Sequence, residues 1–168
     1  PTSEFDDLAA SIENATVPFV LYLSEINNPS NLGAILRTAE AAGIAGVVVS
    51  QGSADAFSPK ANRSALGANL RMPVVENVGD DEMLAFAKEF GLETTAAVVS
   101  DAVDYTQIDW TVPTLLMLGS EAHGLSDELA NVANSRVTIP LENDVESLNL
   151  AVSTGILLFE AVRQTRIS

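Results

Sequence analysis

Six apolar runs recur at steady spacing along the chain, each bounded by turn residues: VPFVLYLS (17–24), AGVVVS (45–50), MPVVEN (72–77), TTAAVVS (94–100), TVPTLLMLG (111–119) and SRVTIPL (135–141). Several are continuous in Val, Ile and Leu rather than alternating, the pattern of parallel strands covered on both faces. Helical periodicity fills the intervals, over 32–42, about 60–69, 80–90, 125–133 and 147–164. This alternation predicts an α/β fold, a mostly parallel sheet with helices on both faces. Residues 17–168 read as one domain without repeats or internal linkers, and residues 1–16 as a lead-in. Pro1 in place of Met reads as a processed or trimmed chain, with another domain upstream.

The last helical stretch, SLNLAVSTGILLFEAVRQ, is apolar on nearly every side until Glu160, with Ala151, Ser153, Thr154 and Gly155 in its first half. A helix apolar all round is expected to be buried all round. Either it runs through the core of a monomer or one of its faces packs against another subunit.

Composition narrows the function classes. Hydrophobic residues make up 47% of the chain and charged ones 18%, as in a globular protein rather than a disordered one. With no cysteine, disulfide scaffolds and thiolate metal sites are excluded. No apolar run reaches membrane-spanning length, and a cytoplasmic protein without metal or membrane partner is expected. The formal charge of −15 argues against sequence-independent binding of nucleic acid, which relies on Lys and Arg replacing phosphate counterions. The bases are unevenly spread, however: Arg37, Lys60, Arg63 and Arg71 fall in one stretch, whereas residues 76–109 carry many acids and only Lys88.

Within NNPSNLGAILRTAEAAG, Asn31 reads as the helix N-cap and Gly43 as the left-handed C-cap. Leu32, Ile35, Leu36, Ala39 and Ala42 form the buried stripe. Arg37 lies off that stripe, above Gly33, Ala34 and Ala41. Glycine in a helix interior costs about 1 kcal/mol relative to alanine, which is tolerated where a backbone or ligand must come close. Two readings stay open: a floor cleared beside the guanidinium, or a surface pair between Arg37 and Glu40 worth a few tenths of a kcal/mol.

Two further segments stand out at strand ends, where ligands gather in α/β sheets: LLMLGSEAHGLSDEL and IPLENDVESLNLAVSTG. Together with Asn28-Pro29-Ser30-Asn31-Leu32-Gly33 and Arg37-Thr38-Ala39, the motifs Leu118-Gly119-Ser120-Glu121-Ala122-His123-Gly124-Leu125, Ile139-Pro140-Leu141 and Val145-Glu146-Ser147-Leu148-Asn149 resemble those of the SpoU (TrmH) family. These are RNA ribose 2′-O-methyltransferases of the SPOUT superfamily. The resemblance runs from about Val17 to Arg163. Asn62-Arg63-Ser64-Ala65-Leu66-Gly67 also resembles the family's stretch after the second strand, with Leu66 inserted where a small residue and glycine often follow the serine directly.

The resemblance implies a C-terminal deep trefoil knot and a homodimer formed through the knot region and the last helix. It implies S-adenosylmethionine as cofactor, held by Leu118, Gly119, Ile139, Leu141 and Leu148, with Ala97 and Val98 walling the adenine. Arg37, Asn28, Glu121, Ser147 and Asn149 are implied as the catalytic set, and Asn31, Arg37, Lys60 and Arg63 as contacts to an RNA substrate, rRNA favoured over tRNA. Arg37 is read as binding the adjacent phosphate and stabilising the developing alkoxide, in service of the other subunit's cofactor. Many relatives carry a separate N-terminal RNA-binding domain, so residues 1–16 are expected to end a linker from one. The rival reading is a catalytically silent dimeric module of the same fold that binds RNA or protein.

Other chemistries find less support in the residues. The chain has no G-x-G-x-x-G after a strand and no P-loop. His123, the only histidine, has no second His and no Cys to complete a zinc site, and Ser120 lacks the flanking glycines of a nucleophile elbow. The acids of ENDVE read as a solvated loop rather than a Mg²⁺ site. Trp110 and Tyr105 read as packing near a strand start rather than as platforms for a base.

Overall fold

The structure, a computed structural model, describes residues 3–168. Seven strands form a single sheet in the order β3-β2-β1-β6-β4-β7-β5, and every pair is parallel. The strands are β1 (Val17–Leu23), β2 (Ile44–Ser50), β3 (Val74–Val78), β4 (Glu93–Ala97), β5 (Val103–Asp104), β6 (Thr114–Leu118) and β7 (Ser135–Thr138). The helices are α1 (Phe5–Asn14), α2 (Pro29–Ala42), α3 (Pro59–Ala65), α4 (Ala68–Arg71), α5 (Asp80–Glu89), α6 (Asp127–Val132) and α7 (Leu150–Ile167).

Successive side chains of β1 point to opposite faces and enter two separate cores. Phe19, Leu21 and Leu23 pack with Leu32, Ile35 and Leu36 of α2 and with Leu157, Leu158 and Ala161 of α7. Val20 and Tyr22 pack with Leu8 of α1, Met83 and Phe86 of α5 and Leu129 of α6. Covered on both faces, β1 has no polar face to alternate with, which is why it reads as an unbroken apolar run.

Several elements differ from the sequence reading. Residues 5–14 of the expected lead-in form a helix whose Leu8 is fully buried against the sheet, while Pro1 and Thr2 lie outside the described residues. The helix expected over 60–69 is broken in two, because Leu66 (φ 50°) and Gly67 (φ 84°) are both left-handed. The run at 94–100 leaves the sheet after Ala97, and a two-residue edge strand, β5, follows beyond a turn. The expected strand over 135–141 ends at Thr138, and the last helix begins at Leu150 rather than Ser147, leaving residues 139–149 as a long loop.

The N-cap of α2 is Asn28, not Asn31: its Oδ1 accepts from the backbone N–H of Ser30 and Asn31 at 2.9 and 3.2 Å, with Pro29 as the first helical residue. Helix α7 is buried on one side only. Leu150, Thr154, Leu157, Leu158 and Ala161 face the sheet and α2, while Val152, Phe159 and Ile167 are exposed on the outside. Trp110 is fully buried and its Nε1 donates to the Tyr105 carbonyl at 2.7 Å, so it is a packing residue unavailable to a base.

Candidate functional site

At the carboxyl ends of β4, β6 and β7 the chain turns back three times, and the three turns enclose a cavity of about 550 Å³. The turn after β4 contributes Ala97 and Val98; the end of β6 contributes Leu118 and Gly119. The loop after β7 contributes Ile139, Leu141 and Leu148. All seven positions expected to hold a cofactor therefore line one space. Glu121 and Ser147 of the expected catalytic set also border it, as do Val99, Glu146 and His123, to which the sequence reading gave no role at the site. Their signal is weak because each is a side chain of a loop whose path is set by its contacts, not by local periodicity.

Gly119 is required by geometry. A Cβ there would strike the backbone of Gly124 and Leu125, so only glycine lets the 119–125 turn fold over the end of β6. The turn closes on itself: Gly124 N donates to the Ser120 carbonyl at 2.8 Å, His123 N to Ser120 Oγ at 3.2 Å, and Gly124 is left-handed at φ 65°. Opposite, Asn143 and Asp144 are consecutive left-handed residues (φ 57° and 58°) that reverse the 139–149 loop toward the cavity. Asn and Asp tolerate this region better than other non-glycine residues.

Three distant segments meet at the rim. Asn149 caps α7, its Oδ1 accepting from Ala151 N at 2.9 Å and Val152 N at 3.2 Å. Its Nδ2 donates to Asn31 Oδ1 and to Glu121 Oε1, each at 3.2 Å. The same carboxylate oxygen of Glu121 accepts from Leu150 N at 2.9 Å. A negative charge beside the first N–H groups of an 18-residue helix is favourable by about 0.3–1 kcal/mol, and the Asn cap by about 1 kcal/mol. Turn 119–125, helix α7 and the start of α2 are thus joined by side chains from each.

The remaining expected residues stand apart from the cavity. Asn28 does not line it, and its carbonyl oxygen is engaged by the α2 cap, which makes it a positioning residue rather than a group at the reacting atoms. Asn149 is likewise engaged through both ends of its amide. Arg37, Lys60 and Arg63 are exposed and outside the cavity of their own chain. The floor beside Arg37 is not open: Gly33 is buried, and a Cβ on it would strike the Ala61 carbonyl and lie 2.6 Å from Ser64 Cβ. Helix α3, not a ligand, occupies the space that the glycine clears. Nor does Arg37 pair with Glu40, whose two carboxylate oxygens take Arg71 Nε and Nη2 at 2.6 and 2.8 Å. Those hydrogen bonds from the Arg71 guanidinium hold the Glu40 carboxyl below its ordinary range.

The cavity fits S-adenosylmethionine in size and chemistry. Apolar side chains at the three strand ends suit a purine, the backbone of Gly119 on the cavity wall suits hydrogen bonding, and the carboxylates of Glu121 and Glu146 suit a cationic group. Among the described residues, no cluster of three or more His, Asp or Glu could hold a metal, and no helix is long and apolar enough to cross a membrane.

Comparison with known proteins places most of the chain in one family. The profile of the SpoU rRNA methylase family matches residues 18–159. The 23S rRNA (guanosine-2′-O-)-methyltransferase RlmB of Shewanella oneidensis is 32% identical over 160 residues, covering 95% of this chain and 65% of that protein. The SpoU methyltransferase AviRb from Streptomyces viridochromogenes, solved in complex with AdoMet, superposes with a TM-score of 0.89 at 30% identity, over 100% of this chain and 63% of that one. An AdoMet-bound rRNA methyltransferase from Sinorhizobium meliloti superposes with a TM-score of 0.82 at 35% identity, over 86% of this chain and 56% of that one. The chain spans between about half and two thirds of the length of the curated relatives it matches.

Proposed function

The chain belongs to the SpoU rRNA methylase family, and from that premise we propose that it transfers a methyl group from S-adenosylmethionine to a ribose 2′-hydroxyl of RNA, rRNA being favoured over tRNA. The observation that carries this reading is the hydrogen-bond chain from Asn31 through Asn149 to Glu121, which joins three distant motifs on the rim of the cavity that all seven expected cofactor positions line.

Leu118, Ile139, Leu141 and Leu148 hold the cofactor's purine together with Ala97 and Val98, and the backbone at Gly119 hydrogen-bonds it. The cofactor, when bound, supplies an electrophilic methyl on a sulfonium. Ser147, on the cavity border, orients the ribose hydroxyl, since a neutral 2′-oxygen is a weak nucleophile that must be aligned before it reacts. Glu121 keeps the 119–125 turn against the start of α7 and so maintains the shape of the pocket. Arg37 carries a guanidinium with five N–H donors and no acceptor, so its role is to grip a phosphate and stabilise negative charge on the ribose oxygen.

Because Arg37 stands outside its own chain's cavity, it serves the cavity of a second copy. A homodimer through α7 supports that arrangement: Val152 and Phe159, seven residues apart on one helix face, are half-exposed at 52% and 47%. The trefoil knot belongs to the same reading, and the strand order, with β6 between β1 and β4, is compatible with it. A cytoplasmic location completes the proposal.

The test is calorimetry with S-adenosylmethionine, followed by methyl transfer to bulk rRNA and tRNA with ribose methylation mapped by position. Micromolar binding and a discrete methylated ribose are expected. No binding at millimolar cofactor would leave a catalytically silent module of the same fold.

A further inference from the structure

Leu66 ends α3 in the left-handed conformation at φ 50°, and its side chain is 59% exposed. Among the described residues, five other non-glycine residues have positive φ, namely Glu25, Asn77, Asp101, Asn143 and Asp144, and Leu66 is the one aliphatic side chain in this group. An aliphatic residue in this region is strained, and such strain persists where the surroundings over-determine it and where function uses it. Here the surroundings do hold it: Leu66 N donates to the Asn62 carbonyl at 3.1 Å, and Arg71 Nη2 donates to the Leu66 carbonyl at 3.1 Å. Arg71 is itself fixed to Glu40 of α2. The leucine displayed by this frame is not used for packing. Leu70, one turn further on in α4, is exposed to 68%.

The charge around this apolar pair is unlike that of the rest of the molecule. Residues 58–72 contain Lys60, Arg63 and Arg71, three of the eight Lys and Arg, and none of the 23 acids. Lys60 and Arg63, at i and i+3 on α3, are both exposed. Gly33 draws α3 against α2, so this face adjoins the helix that carries Arg37.

We propose that the α3–α4 face is a second RNA contact, in which Lys60 and Arg63 take backbone phosphates while Leu66 and Leu70 support an unstacked base of a looped segment beside the target ribose. It rests on the reading of the chain as an RNA methyltransferase. A polyanion with apolar base faces complements the basic side chains of Lys60 and Arg63 beside an apolar wedge, a pairing that Leu side chains make with nucleic-acid bases elsewhere. The one acid bonded to this face, Glu40, is taken up by Arg71. The face lies outside the cofactor cavity, so its contribution is to RNA affinity and not to the chemical step.

The experiment uses Leu66→Gly and Leu70→Ala with the RNA that the wild type methylates, reading melting temperature, cofactor affinity, KM for RNA, kcat and sedimentation. Leu66→Gly relieves the backbone strain, so its melting temperature is expected to stay level or rise while KM for RNA rises about tenfold. kcat and cofactor affinity stay unchanged, and Leu70→Ala behaves likewise for KM. Unchanged KM in both variants overturns the proposal. So does a loss of self-association in either, which would make the face an interface between copies. Failure of the wild type to methylate any RNA while still binding cofactor would instead remove the functional reading on which the proposal rests.

Discussion

Asn149 and Glu121, 28 residues apart in the chain, share a hydrogen bond of 3.2 Å, and both engage the first turn of α7. The cofactor-side turn and the last helix are therefore held by one carboxylate. Glu121→Ala removes the acceptor for Leu150 N and for Asn149 Nδ2 together. A loss of about 1–2 kcal/mol in unfolding free energy is expected, from the lost helix-terminus charge and an unpaired N–H. Cofactor affinity should fall about tenfold or more as the 119–125 turn loosens. Urea titration and calorimetry on the same protein check both, and an unchanged cofactor affinity would detach Glu121 from the site.

Arg37 makes a different prediction because it is exposed and outside its own cavity. Arg37→Ala should leave melting temperature and cofactor affinity unaltered while methyl transfer to RNA falls by about a hundredfold or more. Mixing Arg37→Ala protein with a cofactor-site variant such as Gly119→Ala should restore part of the activity in mixed dimers. Restoration requires that the arginine act across the interface, and its absence would return Arg37 to its own protomer.

Gly33 separates two effects of opposite sign. Alanine there gains about 1 kcal/mol of helix propensity. Its Cβ, however, meets the Ala61 carbonyl and lies 2.6 Å from Ser64 Cβ, and overpacking of this kind costs about 1–3 kcal/mol. Backbone is the obstacle, so it cannot rotate away, and a net loss of stability is expected. A Gly33→Ala protein more stable than wild type would mean that α3 is free to move off α2.

Glu160 predicts a pH dependence. Its carboxylate accepts from Arg163 Nε and Nη2 at 2.8 Å each and from Gln164 Nε2 at 2.9 Å. Led by the Arg163 hydrogen bonds, these contacts hold its carboxyl down to about 2. A depressed folded-state pKa contributes stability above the unfolded value, about 4.3, that is lost as pH falls toward the folded one. Wild type should therefore lose stability between about pH 4.5 and 2 more steeply than Glu160→Gln, as read from urea midpoints at pH 5 and pH 3. Parallel slopes would show that the carboxylate gains nothing from its partners.

How much of this was legible in the sequence follows from how far apart the deciding atoms lie. Strand and helix type depend on residues within a turn or two, and apolar runs such as 17–24 and 45–50 declared a sheet covered on both faces before any contact was known. The residues lining the cavity were named through the family resemblance and not through periodicity, and those at 97, 118–119 and 139 fall at or next to strand ends. What failed was whatever a distant neighbour decides. The sequence reading left the space beside Gly33 to a backbone or a ligand, and only the fold shows that the backbone carbonyl of Ala61 fills it. It took Asn31 as the cap, whereas Asn28 caps and Asn31 is released to meet Asn149 across 118 residues of chain. Local periodicity determines which elements form and which ends carry ligand-facing backbone. Only tertiary packing decides which polar group each freed donor meets, since that choice rests on side chains brought together by other parts of the fold.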